Sequence, residues 1–273
     1  MTEESSGGNG QPPILANKNS RAPSVFEPEN LLREARRQKL LADGSVPKVC
    51  ILDPDGDIVR SLVAGSRAQK DADWACYHTD LYRFHEGELE FGIIGCAVGA
   101  AFAVLLAEQL FASGCKLLLS MTSSGQLKAL RQPPYFILIE RALRDEGTSY
   151  HYLPPSEFSD ADESLIDDTQ LALSGLPFAV ERGPVWTTDA PYRETAEAIS
   201  AHTSRGLLAV EMEAAALYAF ASARQNPVIC FAHVTNQMAQ IEGDFEKGAI
   251  NGTDASLQIL TATAQAWLLN HTS

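Results

Sequence analysis

No Cys-x-x-Cys pair and no His/Cys cluster with metal-ligand spacing occurs in this chain, although it carries five cysteines and six histidines. An odd number of scattered thiols (Cys50, Cys76, Cys96, Cys115 and Cys230) excludes a disulfide framework and reads as reduced, buried side chains in a cytoplasmic protein. No metal site is expected. Positive charge is scarce: 21 Lys and Arg face 35 Asp and Glu, for a net charge of −14 and a pI of about 4.8. That balance argues against a polymeric nucleic acid or an anionic membrane as partner. GxSxG, HExxH and P-loop motifs are all missing. The N-terminus lacks the charged start and apolar block of a secretory signal. Phe91–Ala107 runs for 17 residues without a charge, but Gly92, Gly95 and Gly99 break it and Glu90 and Glu108 bound it. A strand, a glycine turn and a buried helix are expected there, not a membrane span.

What remains is the composition of a globular domain, with 45% hydrophobic residues over 273 positions and a mean hydropathy of −0.10. That suffices for one large core. Residues 1–25, rich in Gly, Ser, Asn and Pro, read as a flexible N-terminal arm, and residues 26–273 as a single domain. Strands are expected at Val49–Leu52, 89–97, Cys115–Ser120, His151–Leu153, Phe178–Val185, Leu207–Val210 and Val228–Val234. Helices are expected at Pro28–Leu41, Gly99–Ala112, Pro134–Gly147, Asp160–Leu173, Arg193–Ser204, from about Glu213, and at Asp254–Asn270. The helix at Pro134–Gly147 rests on Pro in its first turn and Gly at its stop. Strands alternate with helices and several strands are continuously apolar. The fold class is therefore α/β, in three layers, with a mixed, largely parallel central sheet covered by helices on both faces.

Two carboxylates interrupt the apolar run from Leu207 to Phe220, as Glu211-Met212-Glu213. Burying a carboxylate is costly unless hydrogen-bond donors meet it. A strand end running into a helix start is a place where negative charge is favoured, and it lies where α/β sheets bind ligands. An ionised Glu only accepts, so its counterpart in a ligand is a pair of neighbouring hydroxyls, such as the vicinal diol of a ribose. The same spacing also fits a helix-terminal acid beside a solvated Glu. Three further polar groups follow apolar strands: Gly56-Asp57-Ile58-Val59-Arg60, Thr122-Ser123-Ser124-Gly125 and Thr235-Asn236. Glycine with a nearby Arg offers backbone N–H groups and a forked cation to a tetrahedral oxyanion, and the Ser/Gly loop offers hydroxyls and amides. Ordinary β–α turns use the same residue types; the shared position of all four groups is the argument for one site. His202 and His233 are candidate bases. His78 and His85, flanking Tyr82 and Arg83 in a loop, are candidate substrate contacts.

These residues resemble the nucleoside phosphorylase superfamily, which includes uridine phosphorylase and the hexameric purine nucleoside phosphorylases. The resemblance covers about residues 47–270. Val210-Glu211-Met212-Glu213-Ala214-Ala215 matches the family's most specific motif, implying that Glu213 and Met212 hold the ribose with Glu211 in support. Gly56 to Arg60 matches its Gly-Asp-x-x-Arg segment, and Ser123 its phosphate-binding Ser or Thr, so Gly56, Arg60 and Ser123 are the implied phosphate ligands. Gly95-Cys96-Ala97-Val98-Gly99 is similar to the turn that touches the sugar, which adds Val98. Thr187 to Tyr192 resembles the base-lining segment, implying contacts from Thr188, Asp189, Tyr192, Arg193 and Asn236. The resemblance implies reversible phosphorolysis of a uridine-like or 6-oxopurine nucleoside, with Glu213, Asn236 and Arg60 catalytic. Phosphate is then the co-substrate, no cofactor or metal is needed, and the assembly is a homo-oligomer (dimer or hexamer). Two departures stand out: Ser120 occupies the position of a family Arg, and the Arg lent by a neighbouring subunit is not recognisable around Trp74–Arg83. A nucleosidase that uses water, or a nucleoside-binding protein without turnover, are the alternatives.

Overall fold

The computed structural model describes residues 12–238 and 242–271. Its elements are α1 (Pro28–Lys39), β1 (Val49–Asp53), α2 (Asp57–Ala64), β2 (Ala68–Lys70), β3 (Tyr82–Glu86), β4 (Leu89–Gly95), α3 (Ala100–Ala112), β5 (Leu117–Gln126), β6 (Tyr135–Asp145), β7 (Phe158–Asp160), α4 (Glu163–Leu173), β8 (Val180–Thr188), α5 (Ala196–Ser204), β9 (Ala209–Glu211), α6 (Ala214–Arg224), β10 (Val228–Asn236) and α7 (Thr253–His271).

The strands form one mixed sheet, part of which closes on itself. β5 pairs in parallel with β10, β10 antiparallel with β6, β6 parallel with β8, β8 parallel with β9, and β9 antiparallel with β5. These five strands make a barrel. From β5 the sheet runs outward through β1, β4, β3 and β2. The α/β class and mixed sheet agree with the sequence. Closure rests on a short register, Gly125 opposite Val210 and Gln126 opposite Ala209, which no local pattern encodes.

Adjacent residues of β1 serve two cores. Cys50 and Leu52 join residues of α3 and α6, whereas Val49 and Ile51 join residues of α2 and α7. Burial on both faces is why such strands are continuously apolar. α6 lies within the first core, with Ala214 to Phe220 all buried, and Tyr218 ties two strands together there: its hydroxyl donates to the Ile139 carbonyl at 2.5 Å and accepts from the Cys230 N–H at 3.1 Å.

Several expectations are overturned. Pro134–Gly147 is not a helix, since Tyr135–Asp145 is β6. Tyr135, Ile137 and Ile139 point into one core and Phe136 and Leu138 into the other, a division that period-two geometry alone provides. Met121 to Gly125 is not a loop but the second half of β5, paired with β10. His151–Leu153 is no strand, because Thr148–His151 forms a 3-10 turn. Tyr82, Arg83 and His85 belong to β3, not to a loop, and the Gly56 to Arg60 segment opens α2. Four cysteines are buried as expected, whereas Cys96 is exposed. At the other end of the chain Ile14 lies against Gly147, and Lys18 donates to His151 Nδ1 at 2.8 Å. Among the described residues no helix is long and apolar enough to cross a membrane.

Candidate active site

The polar groups singled out in the sequence gather where β1, β4, β5, β9 and β10 end. Glu213 is the residue just before α6 and is 1% exposed. Its Oε1 accepts from the Gly99 N–H at 2.6 Å, and its Oε2 from the Thr122 hydroxyl at 2.8 Å. Glu211, equally buried, plays a different part. Its Oε2 accepts from the N–H groups of Glu213 and Ala214 at 2.7 and 2.8 Å, and its Oε1 accepts from the Thr187 hydroxyl. Thr187 in turn accepts from the Ala215 N–H at 3.0 Å. Glu211 and Thr187 thus satisfy the amides that the start of α6 leaves unpaired. Glu211 fixes the turn from which Glu213 projects. Burial pushes both carboxyls above the usual carboxylate range, and for Glu211 the nearby charge of Glu213 adds to it. Met212, between them, is half-buried, and Val98 is 50% exposed on the turn after β4.

A second cluster forms at the end of β1. Gly56 has φ +74°, and a Cβ there would meet Cys96 Sγ at 2.6 Å and Arg60 Nη1 at 2.8 Å. The buried Asp53 holds the turn: its carboxylate accepts from Gly56 N–H at 3.1 Å and Val59 N–H at 2.9 Å. Burial raises its pKa to about 7. The Gly56 amide is committed to Asp53, and the room a side chain would need there is taken by Cys96 Sγ and Arg60 Nη1, so the glycine lets the Arg60 guanidinium lie close against the turn. Arg60 Nη2 donates to Asp57 Oδ1 at 2.6 Å and to the Asp55 carbonyl at 2.8 Å, while among the described residues the hydrogen-bond partner of Nη1 is Cys96 Sγ, at 3.7 Å. Lys247 binds the carboxylates of both Asp55 and Asp57. No motif points to Lys247; its one signal is that it is the single Lys or Arg after Arg224.

Between the clusters, Ser123 and Thr235 hydroxyls lie 3.2 Å apart on neighbouring strands. Asn236 donates from Nδ2 to Thr235 Oγ1 at 3.2 Å, and its Oδ1 accepts from the Met238 N–H at 2.9 Å. Thr122, Thr235, Asp53 and Gly99 are parts of this site that residue-by-residue reading did not assign. Ser120 is buried, and its hydroxyl has no hydrogen-bond partner among the described residues. Arg83 is consumed elsewhere, by Asp71 at 2.7 Å, Glu90 at 3.0 Å and the Ser45 carbonyl. His85 is exposed on β3, and His78 lies beside Phe102. His233 stacks on Phe136, and burial holds its pKa down to about 4. His202 packs on Trp186. Of the expected base contacts, Thr188 is buried and accepts from the Ala190 N–H at 3.2 Å, and Asp189 accepts from the Gly147 N–H at 2.8 Å. Tyr192 is 98% exposed and Arg193 exposed, both outside the buried network.

Fold and site together define an α/β protein whose barrel edge holds a buried carboxylate beside a cation cluster. Residues 48–265 match the family described as the phosphorylase superfamily, and the chain belongs to that family. A curated relative, guanosine phosphorylase of Halorubrum lacusprofundi, is 26% identical over 67% of this chain and 75% of its own length. Among solved structures, purine nucleoside phosphorylase from Toxoplasma gondii, in complex with immucillin-H, superposes with a TM-score of 0.69 at 18% identity, covering 83% of this chain and 92% of that one. Uridine phosphorylase from Vibrio fischeri ES114, complexed with 6-hydroxy-1-naphthoic acid, gives 0.63 at 18% identity, covering 81% and 88%. At that identity these two structures speak for the fold.

Proposed function

We propose that the protein is a nucleoside phosphorylase that converts a 6-oxopurine or uridine-like nucleoside and phosphate reversibly to free base and ribose 1-phosphate. The observation that carries this reading is the sealed carboxylate of Glu213, fixed by Gly99 and Thr122 within one strand-end cluster that also holds Ser123, Thr235 and Asn236. Glu213 accepts hydrogen bonds from the sugar hydroxyls and opposes the positive charge that develops on the ribose as the glycosidic bond breaks. Met212 and Val98 supply the apolar contact to the ring.

In the bond-breaking step the C1′–N electron pair leaves with the base. A phosphate oxygen attacks C1′ from the opposite face, with the phosphate held by Arg60 and Ser123 beside Gly56. Asn236 cannot act as an acid, but its amide N–H stabilises charge developing on a pyrimidine or 6-oxopurine. The guanosine phosphorylase among the relatives supports an oxopurine base. The same reading takes the enzyme to be a cytoplasmic homo-oligomer that needs neither metal nor organic cofactor.

The test is base release from guanosine, inosine, uridine and adenosine, each with and without phosphate. Phosphate-dependent release from guanosine, inosine or uridine, ahead of adenosine, is expected. Release that ignores phosphate means a nucleosidase, and binding without release a nucleoside-binding protein.

A further inference from the structure

We infer that Lys247 is, beside Arg60, the second cation of the anion-binding end of the site; this rests on the phosphorolysis reading above. Lys247 donates to Asp57 Oδ2 at 2.5 Å and to Asp55, while Arg60 donates to the other oxygen of Asp57 at 2.6 Å. One carboxylate therefore bridges two cations at the start of α2. The four groups balance to zero charge. Without Lys247 the cluster is net negative, and an approaching dianion is repelled.

Among the described residues, both cations keep donors in hand. An ammonium has three N–H groups, and Asp55 and Asp57 use two of those on Lys247. Arg60 spends Nη2 on Asp57 and the Asp55 carbonyl, leaving Nη1 against a thiol at 3.7 Å. A tetrahedral anion that took up those donors would stand between a guanidinium and an ammonium. Burial opposes the charge on Lys247, but its hydrogen bonds to Asp55 and Asp57 outweigh that and raise its pKa, so the cation is secure at neutral pH.

The segment carrying Lys247 is pinned to the rest of the site. The Glu246 N–H donates to the Thr235 carbonyl at 2.7 Å, the Asp244 carboxylate accepts from the Gln237 N–H at 3.0 Å, and Asn251 Nδ2 donates to Asp57 Oδ1 at 3.3 Å. Ile250 and Asn251 both take left-handed backbone, with φ of 50° and 52°, which a β-branched Ile adopts only when its surroundings enforce it. Lys247 is thereby tied to the same strand end that carries Thr235 and Asn236.

The wild type, Lys247→Met and Lys247→Arg are titrated with inorganic phosphate alone, read by thermal shift, and then assayed with nucleoside. Loss of one charge-assisted bond to the anion predicts that Lys247→Met weakens phosphate binding, and raises phosphate KM, about tenfold or more. Nucleoside KM stays near wild type, and Lys247→Arg restores most of the phosphate affinity. Equal phosphate affinity in wild type and Lys247→Met overturns the assignment, as does a parallel rise in both KM values, which marks a purely structural strap. Should the wild type release base without phosphate, the phosphorolysis reading falls. The phosphate titration then still decides: affinity lost in Lys247→Met upholds the cation role, and no phosphate affinity in the wild type overturns it.

Discussion

Glu213 and Gly99 are separated by 114 residues in the chain, yet the Gly99 N–H meets the Glu213 carboxylate at 2.6 Å. Gly99 holds this pose with φ +96° and ψ 147°, a backbone region open to little besides glycine. A Cβ there meets nothing within 4 Å, so crowding is not the constraint. Gly99→Ala should cost about 1–3 kcal/mol through backbone strain alone and re-aim the N–H, lowering kcat/KM for nucleoside. Denaturant unfolding and steady-state kinetics check both; wild-type kinetics in this variant would deny the bond its role.

Glu213→Gln keeps the size of the side chain and one accepting oxygen, but it sets an NH2 group against one of the two donors, Gly99 N–H or the Thr122 hydroxyl, and removes the charge. Turnover should fall by about two to three orders of magnitude, the scale of a lost electrostatic contact to the transition state. Thr122→Val, which removes one donor from Glu213, should fall between this variant and wild type. A circular dichroism spectrum like that of wild type accompanies the expected result.

Gly56→Ala tests the end of β1. Its Cβ would press on Cys96 Sγ and Arg60 Nη1 at a left-handed backbone position, with Asp53 holding the turn from below. Stability should drop by about 1–3 kcal/mol, and phosphate KM should rise more than nucleoside KM. An equal rise in both would place Arg60 outside the anion site.

The buried acids also predict a pH dependence of stability. Asp53 is raised to about 7 by burial, and Glu211 and Glu213 are raised by burial as well. A carboxyl whose pKa is higher folded than unfolded holds its proton longer in the folded state. Its contribution is complete below the unfolded value and is lost as pH climbs through the folded one. His233, lowered to about 4 from an ordinary value of 6.5, works in the opposite sense, and its contribution is lost as pH falls below 6.5. Of these groups, only the carboxyls act between pH of about 6.5 and 8, so the melting temperature in phosphate-free buffer should decline across that interval. A rise would contradict the burial of protonatable acids at the strand ends.

The strand-to-helix joint at Glu211 was legible because two charges in an apolar run demand donors, and the donors are there: the first amides of α6, Thr187, Gly99 and Thr122. β6 was misread because a strand covered on both faces shows no alternation, and its flanking Pro and Gly imitate helix punctuation. Met121 to Gly125 reads as a loop since Thr122 to Gly125 are small and polar; they are so as the half of β5 that borders the site. Lys247 escaped notice because its place is set by tertiary bonds to Asp55, Asp57 and Thr235, none of which leaves a local pattern. Barrel closure was hidden for the same reason.

The most direct test of the central claim follows the phosphorus. Protein, guanosine or uridine, and inorganic phosphate are incubated, and the reaction is read by phosphorus NMR alongside chromatography of the free base. The account predicts ribose 1-phosphate and base appearing in equal amounts, with no base formed when phosphate is omitted. Free ribose, with base released at the same rate in phosphate-free buffer, would contradict it.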